Sequence, residues 1–229
     1  MESIKEVKEM EIDVRGDIIG NDDKGIYDWL EWDSTCPGDV KSALQTMPAG
    51  EKLIVNINSG GGSVMAGQEI YSLLHGRKDV EIHIQSLAGS AASVIAMANT
   101  CKMSPVATIM IHNVSMSGAS GDYHDMQKNA EILKTMNSAL AEAYVAKTGK
   151  TKDEILKMMD KETWITAGQA LEMGFIDEVE ELQTQITNSI CGIRLTEEIR
   201  QQVTKEKELQ NKKEQLKKEL LNDLDKYGV

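Results

Sequence analysis

Lys52-Leu53-Ile54-Val55-Asn56-Ile57 runs directly into Asn58-Ser59-Gly60-Gly61-Gly62-Ser63, and this junction decides how the fold is read. The first six residues are a short apolar run, which reads as a strand. Three successive glycines then let the backbone turn sharply and bring its amides close to a ligand. Beyond the turn, Val64, Ile70, Leu73 and Leu74 mark the apolar face of an amphipathic helix. Taken alone, the glycines could cradle a phosphate. They lack the Gly-Lys-Ser/Thr ending of a P-loop, however, and a structural tight turn explains them equally well.

The same unit recurs on the C-terminal side. Val80-Glu81-Ile82-His83-Ile84 alternates as a half-buried strand should. Small residues from Ala91 to Ala98 suit a tightly packed helix, and Ala107 to Ile111 is another strand. Asp122 to Lys147 predicts a long helix stopped near Gly149. Thr151 with Glu154 forms a capping box for a shorter one. A last helix starts at Thr166 and ends at Gly174, before Phe175-Ile176-Asp177-Glu178-Val179. On the N-terminal side a first strand is expected from about Glu11. Repeated β-then-α units predict an α/β domain whose parallel strands are covered by helices.

Composition sets the boundaries. The 229 residues allow one sizeable core, or a core and an appendage. From Thr196 to Val229 there are eight basic and eight acidic residues, so the preceding 195 residues (17 basic, 29 acidic) carry the whole net charge of −12. We therefore expect a domain over 1–182 and a linker with a charged helical tail over 183–229. Leu209, Leu216, Leu220 and Leu224 give that tail a helical stripe, suited to lying on its own subunit or to a coiled coil with a partner. The acidic balance argues against general nucleic-acid binding. With no apolar run of about 18 residues, no membrane span is expected, and the mixed-charge start does not read as a signal peptide. Cys36, Cys101 and Cys191 form no disulfide framework, which fits a reducing cytoplasm. No metal cluster or cofactor motif is visible.

Two further segments could carry chemistry. Ala88-Gly89-Ser90-Ala91-Ala92-Ser93-Val94 places serines where a strand gives way to a helix, near unpaired N–H groups able to stabilise an oxyanion. Ser93 and Ser90 compete as the reactive hydroxyl. Met110-Ile111-His112-Asn113 ends an apolar strand on a histidine, the side chain best suited to take a serine proton near neutral pH. His75, His83 and His124 fall at a helix end, within a strand and at a helix start, where structural or solvated roles are expected.

Together these segments resemble the ClpP family of self-compartmentalised serine peptidases. The family's Asn-Ser-Pro-Gly-Gly turn and Ala-Gly-x-x-Ile-Tyr helix are matched by Asn58 to Gly62 and by Ala66-Gly67-Gln68-Glu69-Ile70-Tyr71. Its Gly-x-Ala-Ala-Ser is matched by Gly89-Ser90-Ala91-Ala92-Ser93, and its Met-Ile-His by Met110-Ile111-His112. Its late Ser-Ala-x-Glu-Ala motif resembles Thr166-Ala167-Gly168-Gln169-Ala170, followed by Gly174-Phe175-Ile176-Asp177. The resemblance implies the ClpP/crotonase-like spiral of β-β-α units with a protruding handle helix, here Gly118 to Lys147, and a ring-shaped homo-oligomer acting on protein or peptide substrates. It implies Ser93 as nucleophile, His112 as base, and the amides of Gly62 and Val94 as oxyanion hole. The family's acid, usually Asp, falls on Glu162, with Asp160 as the alternative.

The Glu162-Thr163-Trp164 context, the Ser-Ala-Ala-Ser context and the long charged tail look more like the ClpP-related head-maturation proteases of phages and prophages. That resemblance implies processing of scaffold or capsid proteins, and disfavours dependence on an unfoldase ATPase. Competing readings are a ClpP subunit fed by such an ATPase, a crotonase-type enzyme on the same fold, and a non-catalytic assembly protein that has kept the fold.

Overall fold

The computed structural model describes residues 8–181, together with Lys205 and Lys212, both helical. Along the chain the strands are β1 (Glu9–Ile18), β2 (Ser34–Thr35), β3 (Lys52–Gly62), β4 (Val80–Gly89), β5 (Cys101–Met103), β6 (Thr108–Ile111), β7 (Thr163–Thr166) and β8 (Glu178–Val179). The helices are α1 (Lys24–Trp29), α2 (Pro37–Thr46), α3 (Val64–Leu74), α4 (Ala91–Ala96), α5 (Tyr123–Thr148), α6 (Lys152–Asp160) and α7 (Ala167–Glu172). The compact unit they build reaches Leu182.

The sheet runs in the order β2-β1-β3-β4-β5-β8, with β6 joining β4 and β7 joining β6. Every pairing among the described residues is parallel except β6 with β7. Parallel neighbours need crossover connections, and α3 supplies the one from β3 to β4. It buries Ala66, Gly67, Ile70 and Leu74. Of the expected apolar face Ile70 and Leu74 are thus buried, while Val64 and Leu73 are half-buried and the small Ala66 and Gly67 take their place. Leu53, Val55 and Ile57 on β3 and Ile82 and Ile84 on β4 are fully buried, so the core sits around these two strands.

Strand β4 forks. Ile82 to Ile84 pair with β5, whereas Leu87 to Gly89 pair with β6. The fork brings the end of β6, and with it His112, beside the end of β4 and the start of α4.

Both central strands run further than their hydrophobic patterns predict. β3 continues through the glycines because β1 stays alongside it, pairing Asp17 with Gly61 and Ile18 with Gly62. β4 continues to Gly89 because β6 takes over its edge. Likewise β1 starts at Glu9, ahead of the expected Glu11. Strands β2, β5 and β8, of two or three residues each, are too short to show a period.

The helix ends follow local chemistry. Asp122 caps α5 by accepting from the N–H groups of His124 and Asp125, and Gly149 ends it in the left-handed region at φ 69°. Thr151 and Glu154 form the expected box at α6. With 26 residues α5 is about 39 Å long. Its buried residues, Leu140, Ala141, Ala143 and Tyr144, all lie in its second half, and its first half is exposed, as a handle requires. The tail expectation over 183–229 lies outside the described residues except at Lys205 and Lys212.

A charged ladder crosses the strands on one face. Glu81 on β4 meets Lys102 on β5 (3.0 Å) and His83 (2.9 Å), while Lys102 reaches Glu178 on β8 (3.6 Å). Burial alone would raise the Glu81 carboxyl, but hydrogen bonds from His83 and Lys102 outweigh it and hold the group down at about 2, against an ordinary 4.5. A carboxylate depressed in the folded state stabilises the fold above its ordinary value, and that contribution is lost as pH falls toward 2. In denaturant melts, the stability gap between wild type and Glu81→Gln is expected to narrow between pH 4.5 and pH 2. A gap that stays constant across that range contradicts the ladder's role.

Candidate active site

The site assembles where three chain segments leave the sheet together. The glycine turn comes off β3, the β4-to-α4 elbow stands beside it, and His112 follows the last residue of β6. Ser90, between β4 and α4, adopts φ 50° and ψ −121°, a conformation sparsely populated by residues with a side chain. A sharp strand-to-helix turn of this kind lifts a side chain out of the surface.

The turn off β3 is shaped to admit this elbow. A Cβ on Gly61, where φ is 107°, would stand 2.6 Å from the Ser90 Cβ. One on Gly89 would stand 2.9 Å from the Gly60 carbonyl oxygen. Ser59 is buried and ties the turn down, donating its hydroxyl to the Gly16 carbonyl (2.6 Å) and accepting the Gly61 N–H (3.1 Å).

His112 Nε2 lies 2.8 Å from Ser90 Oγ. The expected pairing of His112 with Ser93 is therefore not the one the structure holds. Ser93 is fully buried, its hydroxyl donating to the Ser90 carbonyl (2.6 Å) and meeting the Tyr144 hydroxyl (2.7 Å). The reason is helical geometry: Ser93 is the third residue of α4 and turns inward, while Ser90 stands at the elbow. Ser90, the competing candidate, is the serine in contact with His112.

The N–H groups around Ser90 differ in what they bond. The Val94 N–H is spent inside the helix on the Ser90 carbonyl (3.3 Å). Ala91 opens α4, so its N–H has no carbonyl to reach within the helix. On the turn, Ile18 accepts from the Ser63 N–H (2.7 Å), which leaves the Gly62 N–H unspent on β1. Gly62, Ser90, Ala91 and His112 all line one small pocket of about 70 Å³, whose apolar wall includes Val114 and Leu140.

Neither expected acid touches His112. Asp160 accepts from Asn113 Nδ2 (2.8 Å), and Glu162 accepts from Trp164 Nε1 (3.3 Å). Their positions relative to the β6–β7 pairing differ. β6 and β7 pair Ile111 with Thr163, so His112 and Glu162 are the next opposed pair beyond its end. Glu162 sits at φ 50°, a left-handed turn that directs its side chain toward the indole. Cys101 is buried and its thiol is pushed up to about 12 by that burial, so it stays protonated and offers no competing nucleophile. Among the described residues no cluster of histidine, cysteine and carboxylate groups could hold a metal ion, and no helix is long and apolar enough to cross a membrane.

Comparison with known proteins identifies the family. Residues 42–183 match the Clp protease family, a span that takes in the glycine turn, the elbow, His112 and both carboxylates. This chain belongs to the Clp protease family. It is 31% identical over 133 residues to the ATP-dependent Clp protease proteolytic subunit 2 of Tropheryma whipplei, covering 56% of this chain and 73% of the relative. It is 36% identical over 145 residues to proteolytic subunit 1 of Protochlamydia amoebophila, covering 59% and 68%. Proteolytic subunit 1 of Corynebacterium jeikeium is 36% identical over 127 residues, covering 54% and 67%. Like other members of the family, the chain is a serine peptidase, and its α/β architecture is the family's fold.

Sequence reasoning missed Tyr144 and Ala91. Tyr144 was hidden because nothing in an amphipathic helix singles out the one residue whose hydroxyl meets another buried hydroxyl. The close fit of turn against elbow yields a test. Gly61→Ala is expected to destabilise the fold by about 1–3 kcal/mol in chemical denaturation, and unchanged stability would show that the elbow does not need that approach.

Proposed function

We propose that this chain is a serine endopeptidase subunit of the ClpP type in which Ser90 is the nucleophile and His112 its general base. The observation that carries this reading is the 2.8 Å contact between Ser90 Oγ and His112 Nε2 at a strained elbow that opens on a pocket.

The chemistry follows from the positions. Ser90 Oγ attacks the scissile carbonyl carbon and passes its proton to His112 Nε2. The carbonyl oxygen becomes an oxyanion facing the N–H groups of Ala91 and Gly62, where such donors act most strongly. Collapse breaks the C–N bond, and His112 returns the proton to the leaving amine. Water then repeats the sequence on the acyl-enzyme, with His112 again as base. Glu162 is the acid in this reading, because it stands opposite His112 in the β6–β7 register. It takes up that role by leaving the Trp164 indole.

The relatives described above are named proteolytic subunits, and by that likeness we read this chain as one protomer of a ring of identical subunits, working in the cytoplasm on proteins or peptides. The exposed first half of α5 suits contact with another subunit. A second reading, processing of scaffold or capsid proteins in an assembling phage head, is supported by Glu162-Thr163-Trp164 and by Ser90-Ala91-Ala92-Ser93. The two readings part on need for an ATPase: cutting of a folded protein without one favours head maturation, and cutting of short peptides alone favours an unfoldase-fed subunit.

Hydrolysis of a fluorogenic peptide by purified variants tests the site. Ser90→Ala and His112→Ala are each expected to lose at least about a thousandfold in kcat. Glu162→Gln is expected to lose more than Asp160→Asn, and the reverse order would transfer the acid's role to Asp160. Full activity in Ser90→Ala would overturn the assignment.

A further inference from the structure

The buried hydroxyl pair behind the elbow has no part in the steps above, although two polar side chains in an apolar layer are costly unless their bonds serve the fold or the site. Proton counting fixes the direction of the chain. A carbonyl can only accept, so the single Ser93 proton goes to the Ser90 carbonyl, and Tyr144 must then donate to Ser93 Oγ. Burial raises the Tyr144 hydroxyl above the usual tyrosine range, which keeps it a protonated donor.

The Ser90 carbonyl thus collects three donors: Ser93 Oγ (2.6 Å), the Ser93 N–H (3.0 Å) and the Val94 N–H (3.3 Å). That carbonyl shares one rigid trans peptide with the Ala91 N–H, and the two point in opposite directions. Pinning the carbonyl into the protein therefore turns the Ala91 N–H outward, toward the pocket. Without the hydroxyl pair, only the two helical N–H groups would hold a peptide that follows a residue in a strained conformation.

Building on the Ser90 reading, we propose that Ser93, backed by Tyr144, is a positioning residue that aims the Ala91 N–H at the oxyanion. Its effect belongs to the transition state, because a substrate's ground-state carbonyl gains less from that donor than an oxyanion does. A residue with a purely structural role would instead change the amount of folded enzyme without changing how the folded enzyme divides its effect between kcat and KM.

The test compares wild type with Ser90→Ala, Ser93→Ala, Tyr144→Phe and the double variant Ser93→Ala/Tyr144→Phe, using peptide hydrolysis and inhibition by a peptide boronate that mimics the tetrahedral state. Tyr144→Phe keeps the ring and its packing, so it carries the test if Ser93→Ala folds poorly. Each single variant is expected to lose roughly tenfold in kcat, the rate equivalent of one hydrogen bond, with KM unchanged and boronate affinity reduced by a similar factor. The double variant is expected to lose no more than the worse single one, because both act through one chain. Wild-type kcat and boronate affinity in both single variants, alongside an inactive Ser90→Ala, would overturn the positioning role and leave the Ser90 reading standing. An active Ser90→Ala with an inactive Ser93→Ala would overturn the Ser90 reading itself.

Discussion

The positive φ of Ser90 is the constraint around which the rest of this molecule is arranged. A residue with a Cβ adopts such a conformation only where its surroundings over-determine it, and here they do so from three sides. Strand β4 is held by β3 as far as Ala88 and by β6 up to its last residue, Gly89. Helix α4 begins at once, with two of its N–H groups and the Ser93 hydroxyl on the Ser90 carbonyl. The glycine turn closes the third side at a distance that no side chain on Gly61 would permit. The strain is a local cost that the buried sheet can sustain, since Leu53, Val55, Ile57, Ile82 and Ile84 lie fully inside it.

From that one elbow the chemistry follows in steps. The turn puts the Ser90 hydroxyl on the surface of a pocket, and the fork of β4 brings β6 beside it so that His112 arrives within hydrogen-bond distance. The same peptide that follows the strained Ser90 presents the Ala91 N–H, so in the proposed mechanism nucleophile and oxyanion donor are fixed by a single backbone event. Glu162, the proposed acid just ahead of β7, is held less firmly. That strand is short and pairs only with β6 among the described residues, and a left-handed turn at Glu162 gives its carboxylate to Trp164. In the proposed triad the base and nucleophile are thus set by the core, and the acid by a peripheral ribbon.

Much of the fold was legible because its longest elements carry strong patterns. The β3–turn–α3 unit, the capped α5 and the Thr151 box at α6 stand where their residues predict. The structure brings His112 to Ser90, the other serine the sequence offered, rather than to Ser93 one helical turn on. Ser-Ala-Ala-Ser repeats its serine after three residues, so the Gly-x-Ala-Ala-Ser pattern fitted Ser93 on identity alone. Ser86-Leu87-Ala88-Gly89-Ser90 fits it less completely, yet it ends on the serine at the elbow. The missing information was the true end of β4. Alternation carried that strand only to Ile84, while pairing with β6, a contact distant in sequence, extends it to Gly89. With the strand ended there, Ser90 falls at the junction and Ser93 one turn inside the helix. The motif already put Glu162 ahead of Asp160, and the β6–β7 register, which sequence cannot give, supports the same proposal.

The most direct measurement of the central claim is reaction with a serine-directed fluorophosphonate, followed by mapping of the modified residue by mass spectrometry. The geometry predicts a single adduct on Ser90, whose formation disappears in His112→Ala. An adduct on Ser93, reached through a helix that would have to open to expose it, would contradict the account of the elbow and return the nucleophile to the helix interior.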